Sequence, residues 1–190
     1  MNEAINLAKS MNTLTNLEKI TIPVLDGFEL EEINLTDPNH RTVFIAKKNN
    51  TLEQFFGDGA LNENESFDDR VELVVKQMTE KLKKLPVYEG NNEFLVYYKN
   101  YDSPYFDFKI YIQDILTGTK EKIMFTRQLS AFFVEPQGNE FYQISVSAGK
   151  YAVSEEHKLL KDIEDYEKDE INIGLDDALT LIMDNITYRE

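Results

Sequence analysis

Between residues 93 and 148 the chain repeats with a period of two, and few folds satisfy that pattern. In "YFDFKIYIQD", residues 105–114, Phe106, Phe108, Ile110 and Ile112 alternate with Asp107, Lys109, Tyr111 and Gln113. Successive side chains of an extended strand point to opposite faces, so the alternation predicts a strand with one face on a core. "EFLVYYKN" (93–100) before it reads as a strand, as do "EKIMFTRQLSAFFV" (121–134) and "EFYQISVSA" (140–148) after it. "LTGTK" and "EPQGN" between them are turn-forming. Strands joined this tightly pair antiparallel, because a parallel neighbour needs a crossover of a dozen or more residues. The result is a meander of three or four strands.

An apolar sheet face must be covered, and two helical patterns supply the cover. Ser66 is a good N-cap and Asp69 stands three residues on, a version of the capping box. Phe67, Val71, Val74, Val75, Met78, Leu82 and Leu85 recur at helical steps, Lys81, Lys83 and Lys84 suit the negative C-terminal end of the dipole, and Pro86 stops the helix. Near the end, Leu175, Ala178, Leu179, Ile182, Met183 and Ile186 form a second apolar stripe. Leu159, Leu160, Ile163 and Tyr166 share helical spacing just before it. The expected fold class is therefore α+β: an antiparallel meander packed by a long central helix and a C-terminal helix.

The first third is less regular. Ala4, Ile5, Ala8 and Met11 suit one face of a short N-terminal helix. "KITIPVLDGFELEEINL" (19–35) reads as two extended pieces around the turn pair Asp26-Gly27, with Pro23 marking an edge or a bulge because proline donates nothing to a ladder. "RTVFIAKK" from Arg41 is a further strand. "TLEQFFGDG", opened by Thr51 and closed by Gly57, reads as a single helical turn, and "ALNENESFDD" as polar loop. The chain is expected to be one domain over 1–190, with an N-terminal helix or arm at 1–17, sheet and long helix at 18–153, and an acidic helical segment at 154–190.

This order of elements resembles a known family. "ITIPVLDGFELEE" is similar to the opening strand and turn of the PsbP/DcrB-type α/β/α sandwich families, and "SFDDRVELVVKQMTEKLKKLP" resembles their first long helix. Phe28 stands where the family usually has tryptophan, and residues 155–173 look like added length before the last helix. The resemblance implies the sandwich fold and a non-enzymatic role. Such proteins include photosystem accessory proteins, small-GTPase partners and chaperones of secreted effectors.

Charge restricts the partners. With 35 acidic against 20 basic residues the net charge is −15, which repels phosphate backbones, so direct nucleic-acid binding is not expected. The chain has no cysteine, which removes disulfides, thiolate nucleophiles and cysteine-based metal sites. The first twelve residues lack the basic start and apolar run of a signal peptide, and no apolar run is long enough to span a bilayer. A cytoplasmic protein without membrane insertion is expected.

Catalytic patterns are missing from the sequence. There is no G-x-S-x-G elbow and no Walker loop. The calcium-loop template fails on "DGALNENESFDD", which has Ala60, Glu63 and Asp69 at its third, sixth and twelfth positions. His40 lies in a proline turn, and His157 has no second histidine at helical spacing. The carboxylate pairs Asp68-Asp69 and Asp176-Asp177 open helices, where the dipole suffices to explain them. No enzyme activity, metal or cofactor is expected.

Two features point to a partner instead. "VYYKNYDSPYF" holds Tyr97, Tyr98, Tyr101 and Tyr105, and tyrosine is enriched at interfaces because it buries a large ring while its hydroxyl stays wet. Residues 154–190 hold twelve acids against four basic residues, about half of the excess charge. Asp162, Glu164, Asp165, Glu167, Asp169 and Glu170 lead that segment. The expected function is binding of another protein, basic or amphipathic, by occlusion, as an immunity protein or an effector chaperone does. The alternative is an acidic nucleic-acid mimic that inhibits a nuclease or a defence complex.

Overall fold

The computed structural model describes residues 11–17, 20–33, 42–48, 52–87, 91–119, 122–136, 138–153, 160–163 and 165–189. Within these, the side chains of 11–17, 30–33, 42–46, 48, 150–153, 162 and 165–167 are outside the description. The strands are β1 (Met11–Leu17), β2 (Ile20–Leu25), β3 (Glu29–Ile33), β4 (Thr42–Lys48) and β5 (Leu52–Ala60). Helix α1 (Phe67–Lys84) follows, then β6 (Glu93–Asp102), β7 (Asp107–Thr119), β8 (Lys122–Val134) and β9 (Glu140–Val153). A 3-10 turn at Leu160–Asp162, helix α2 (Asp165–Asn185) and β10 (Thr187–Tyr188) close the chain.

Two sheets result. The large one has seven antiparallel strands in the order β3-β4-β5-β9-β8-β7-β6, and the small one has the order β1-β2-β10. The meander from β6 to β9 therefore forms as the alternation requires, and β5 pairs along its far side. Helix α1 is the connection that carries the chain from β5 to β6, the opposite edge, so it must lie across one sheet face. Its inward Val71 and Val74 meet Phe132 and Phe141 there. Helix α2 leaves β9 for the other face and buries Ile171, Leu175, Ala178, Leu179, Ile182 and Met183 with Phe108, Ile110, Phe125, Leu129 and Ile144. Ile20, Ile22 and Leu25 of β2 join that same core. The arrangement is an α/β/α sandwich with a small sheet beside α2.

Local details follow from single residues. Ser66 Oγ accepts from the Asp69 N–H at 3.0 Å, and Asp69 Oδ2 accepts from the Ser66 N–H at 3.3 Å, so both halves of the capping box exist. The helix ends before Leu85 and Pro86. Pro23 pairs with Thr13, and the register slips between Thr13 and Thr15, which is the bulge that proline implies. Gln54, buried on β5, accepts from the Leu25 N–H at 3.1 Å and donates to Pro23 O at 2.8 Å. Its amide behaves as a surrogate peptide group and ties β2 to the large sheet.

Five expectations are corrected. Asp176-Asp177 does not open a helix but lies within α2, where Tyr98, Asn172 and Lys99 rather than a helix dipole face Asp176. "TLEQFFGDG" is not a helical turn but most of β5, bonded to β4 on one side and β9 on the other. Its own pattern is two-fold, with Leu52, Gln54, Phe56 and Asp58 buried. Met11 belongs to a strand, because β2 supplies a ladder that a lone amphipathic turn lacks; Ala4, Ile5 and Ala8 lie outside the described residues. The β7–β8 strands run on to Thr119 and Lys122, so the "LTGTK" turn closes later than its residues suggest; Gly118 has φ +111° inside the ladder. Finally, 159–166 is not one helix: a short 3-10 turn buries Leu160 and Ile163 before α2 begins at Asp165. Leu159, His40 and His157 lie outside the described residues.

Candidate functional site

The tyrosine-rich stretch lies on β6, an edge strand of the large sheet, and in the turn that follows it. Its four tyrosines divide by role. Tyr98 and Tyr101 point to α2. Tyr98 donates its hydroxyl proton to Asp176 Oδ2 at 2.7 Å, and Asn172 Nδ2 donates to both groups at 3.2 Å. Lys99 Nζ lies 3.1 Å from Asp176 Oδ1, held by charge off the hydrogen-bond line, and sits 5.1 Å from the Tyr98 ring centroid. Tyr101 donates to Asp184 Oδ1 at 2.6 Å. That hydrogen bond, then burial and the Asp184 charge, push the Tyr101 phenol above its ordinary value. These two tyrosines fasten α2 to the sheet edge and are structural.

Tyr97 and Tyr105 remain outside, 49% and 53% exposed. Pairing with β7 slips between Tyr97 and Lys99, so Tyr98 is an extra residue and the neighbouring tyrosines part company. Tyr97 turns towards the α1 face, edge-on to Tyr111 at 5.8 Å, with Lys109 Nζ 5.9 Å from its centroid. Tyr105 sits in the β6–β7 turn, which Ser103 Oγ holds by accepting from the Phe106 and Tyr105 N–H groups.

Between this turn and the start of α1 is an open cleft of about 360 Å³ lined by Phe67, Asp68, Asn100, Asp102, Asp107, Phe108 and Lys109. Asp102 and Asp107 stand directly opposite each other in the ladder, a like-charge pair that the isolated hairpin would disfavour. Lys109 reaches Asp68 at 3.4 Å. Among the described residues, no basic group forms an ion pair with Asp102 or Asp107, and no group of three or more acids and histidines is arranged to hold a metal ion. The lining is therefore acidic on balance, with Asp68, Asp102 and Asp107 against Lys109.

Of the expected acidic residues, Asp169 and Glu170 are exposed on the first turns of α2. Glu164 and the side chains of Asp162, Asp165 and Glu167 lie outside the description. The start of α2 is fixed from below by a pair that the sequence reading missed. Arg127 on β8 donates from Nε and Nη2 to the two oxygens of Asp114 on β7, at 2.7 and 2.6 Å, and from Nη1 to Lys168 O at 2.9 Å. Both side chains are at least nine-tenths buried. The signal was a charged residue at an inward position of each strand. Asp102 and Asp107 were likewise missed, since only pairing brings them together.

The geometry defines the fold class, an α/β/α sandwich, and solved structures share it. Cyanobacterial PsbP (CyanoP) from Synechocystis shares the fold at a TM-score of 0.59 over 100% of this chain and 98% of its own, with 9% identity. LpqN of Mycobacterium tuberculosis, involved in cell envelope biogenesis, aligns over 95% of this chain and 91% of its own at a TM-score of 0.45 and 13% identity. No protein-family model and no curated protein sequence matches the chain. Among the described residues, no helix is long and apolar enough to cross a membrane.

Proposed function

We propose that this is a non-enzymatic protein-binding protein that takes a basic partner at the β6 edge and neutralises or escorts it in the cytoplasm, as an immunity protein or effector chaperone does. The observation that carries the reading is the cleft of Asp68, Asp102 and Asp107 beside the exposed rings of Tyr97 and Tyr105. Clustered carboxylates steer a cationic partner in, and the rings supply contact area once it arrives. Two of the four tyrosines, Tyr97 and Tyr105, are exposed at this edge and its turn, and of the acids first considered Asp169 is exposed on α2 one turn from Asn172.

A photo-cross-linking residue placed at Tyr105, with a control at Leu73 on α1, tests it in extract of the native cell. The expected result is a cross-link from position 105 to one basic protein, lost at high salt and absent at position 73. Equal labelling from both positions, or none from position 105, contradicts the reading. Displacement of that protein by duplex DNA would favour the nucleic-acid mimic over the escort.

A further inference from the structure

The binding surface includes a strand edge as well as side chains. β6 is the outermost strand, ten residues long, with β7 on one side and no strand on the other among the described residues. Exposed edges are normally blunted by proline, by outward lysine, by extreme shortness or by bulges, and of these β6 carries only bulges, its two register slips. β6 contains no proline, and its one lysine, Lys99, is folded back on Asp176 and the Tyr98 ring. Its two register slips fall on either side of Val96 and Tyr97, leaving this pair in ladder with Ile112 and Tyr111. Both are about half exposed.

The chemistry beside this edge selects the occupant. On the α2 side, Tyr98 reaches Asn172 and Asp176. The adjoining α2 surface carries Ile173, 61% exposed, and the exposed acid Asp169, one turn from Asn172. On the α1 side lies the cleft with Asp102 and Asp107. Of the lysines beside this edge, Lys99 and Lys109 are already paired with Asp176 and Asp68, and Lys83 of α1 lies over the Phe94 ring near the start of β6. A strand laid here would meet apolar residues along its length and carboxylates on both flanks. A second copy of this chain fits poorly, since each carries −15.

We propose that β6 accepts, by main-chain pairing, an extended segment of the partner in which apolar residues alternate with lysine or arginine. The inference rests on the protein-binding reading above and specifies how the partner is held. Added strands gain affinity from backbone hydrogen bonds and specificity from alternate side chains.

The probe is a nine-residue peptide of alternating valine and lysine, tested with three controls. One is N-methylated on alternate residues, one replaces lysine by glutamate, and one is a lysine-rich peptide with proline at alternate positions. The first should bind and slow amide exchange at residues 95–98, while the N-methylated, acidic and proline forms bind at least tenfold more weakly. In the protein, V96P should weaken the valine–lysine peptide at least tenfold while the circular dichroism of the fold is unchanged. If V96P unfolds the edge, the N-methylated peptide still decides the matter. Equal binding of the parent and N-methylated peptides, or no binding of the parent, overturns strand addition. The Tyr105 cross-link tests the broader reading separately, because it needs no strand pairing.

Discussion

Arg127 offers the sharpest test of how the sheet positions α2. Its guanidinium makes two short bonds to Asp114 and one to Lys168 O, with both side chains buried. Replacing it by methionine keeps most of the volume but strands the Asp114 carboxylate in the core and frees one helix carbonyl. Breaking one partner of a buried pair costs about 3–5 kcal/mol, whereas replacing both by apolar residues is often neutral. With a urea slope of about 2 kcal/mol/M, R127M should lower the unfolding midpoint by roughly 2 M. R127M/D114L should recover most of that loss. It should still show faster amide exchange at residues 168–172, because Lys168 O then keeps only its helical partner and the tie from the sheet is gone. Urea titrations of the three proteins, followed by exchange measurements, supply the readout. An R127M midpoint within about 0.5 M of wild type would refute the argument, since a stranded buried carboxylate cannot be that cheap.

Other perturbations have smaller or more local consequences. S66A removes the side-chain half of the capping box and should cost about 1 kcal/mol in chemical denaturation, with S66D close to neutral. Q54L leaves the Leu25 N–H and Pro23 O without their partner, at about 1–3 kcal/mol each, and should be read as loss of exchange protection in β2 before the rest. The Tyr101 phenol is raised by Asp184, so its stabilising bond is present below the ordinary tyrosine range and is lost as pH climbs through the raised value. Difference absorbance between wild type and Y101F should show Tyr101 forming phenolate late, and D184N should return it towards the ordinary value. For Glu65, burial acts upwards. The Arg70 hydrogen bond, the Asn62 N–H and the Arg70 charge outweigh it and hold the carboxyl below its usual range. That contribution is present above the ordinary glutamate value and lost as pH falls through the lowered one, so R70M should be less sensitive to acid over that window.

The sequence made the meander and both helices legible because each is encoded by its own residues. The alternation at Phe106, Phe108, Ile110 and Ile112, the Ser66–Asp69 cap and the Leu175–Met183 stripe need no distant partner to be read. Residues 52–60 were misread because Gly57 and Gly59 look like a stop. They are strand residues because Gly57 pairs with Val43 of β4 and Gln143 of β9, and Gly59 with Phe141 of β9. The tyrosines show the same limit. Simple alternation separates Tyr97 from Tyr98, but the slip before Lys99 decides that Tyr98 and Tyr101 both serve α2. Asp102 meets Asp107 through register alone, and Arg127 meets Asp114 across 13 residues of chain for the same reason. Charge and aromatic content were visible in the residues; their distribution among tether, cleft and edge required the fold.

The central claim is that carboxylates around the β6 edge draw in a cationic partner. The association rate with the protein cross-linked at Tyr105 tests it most directly, compared between wild type and D102N/D107N/D169N. Wild type should associate at least tenfold more slowly as salt rises from about 0.05 to about 0.5 M, with the neutralised protein slow and nearly flat throughout. Identical rates for the two proteins at every salt concentration would contradict it.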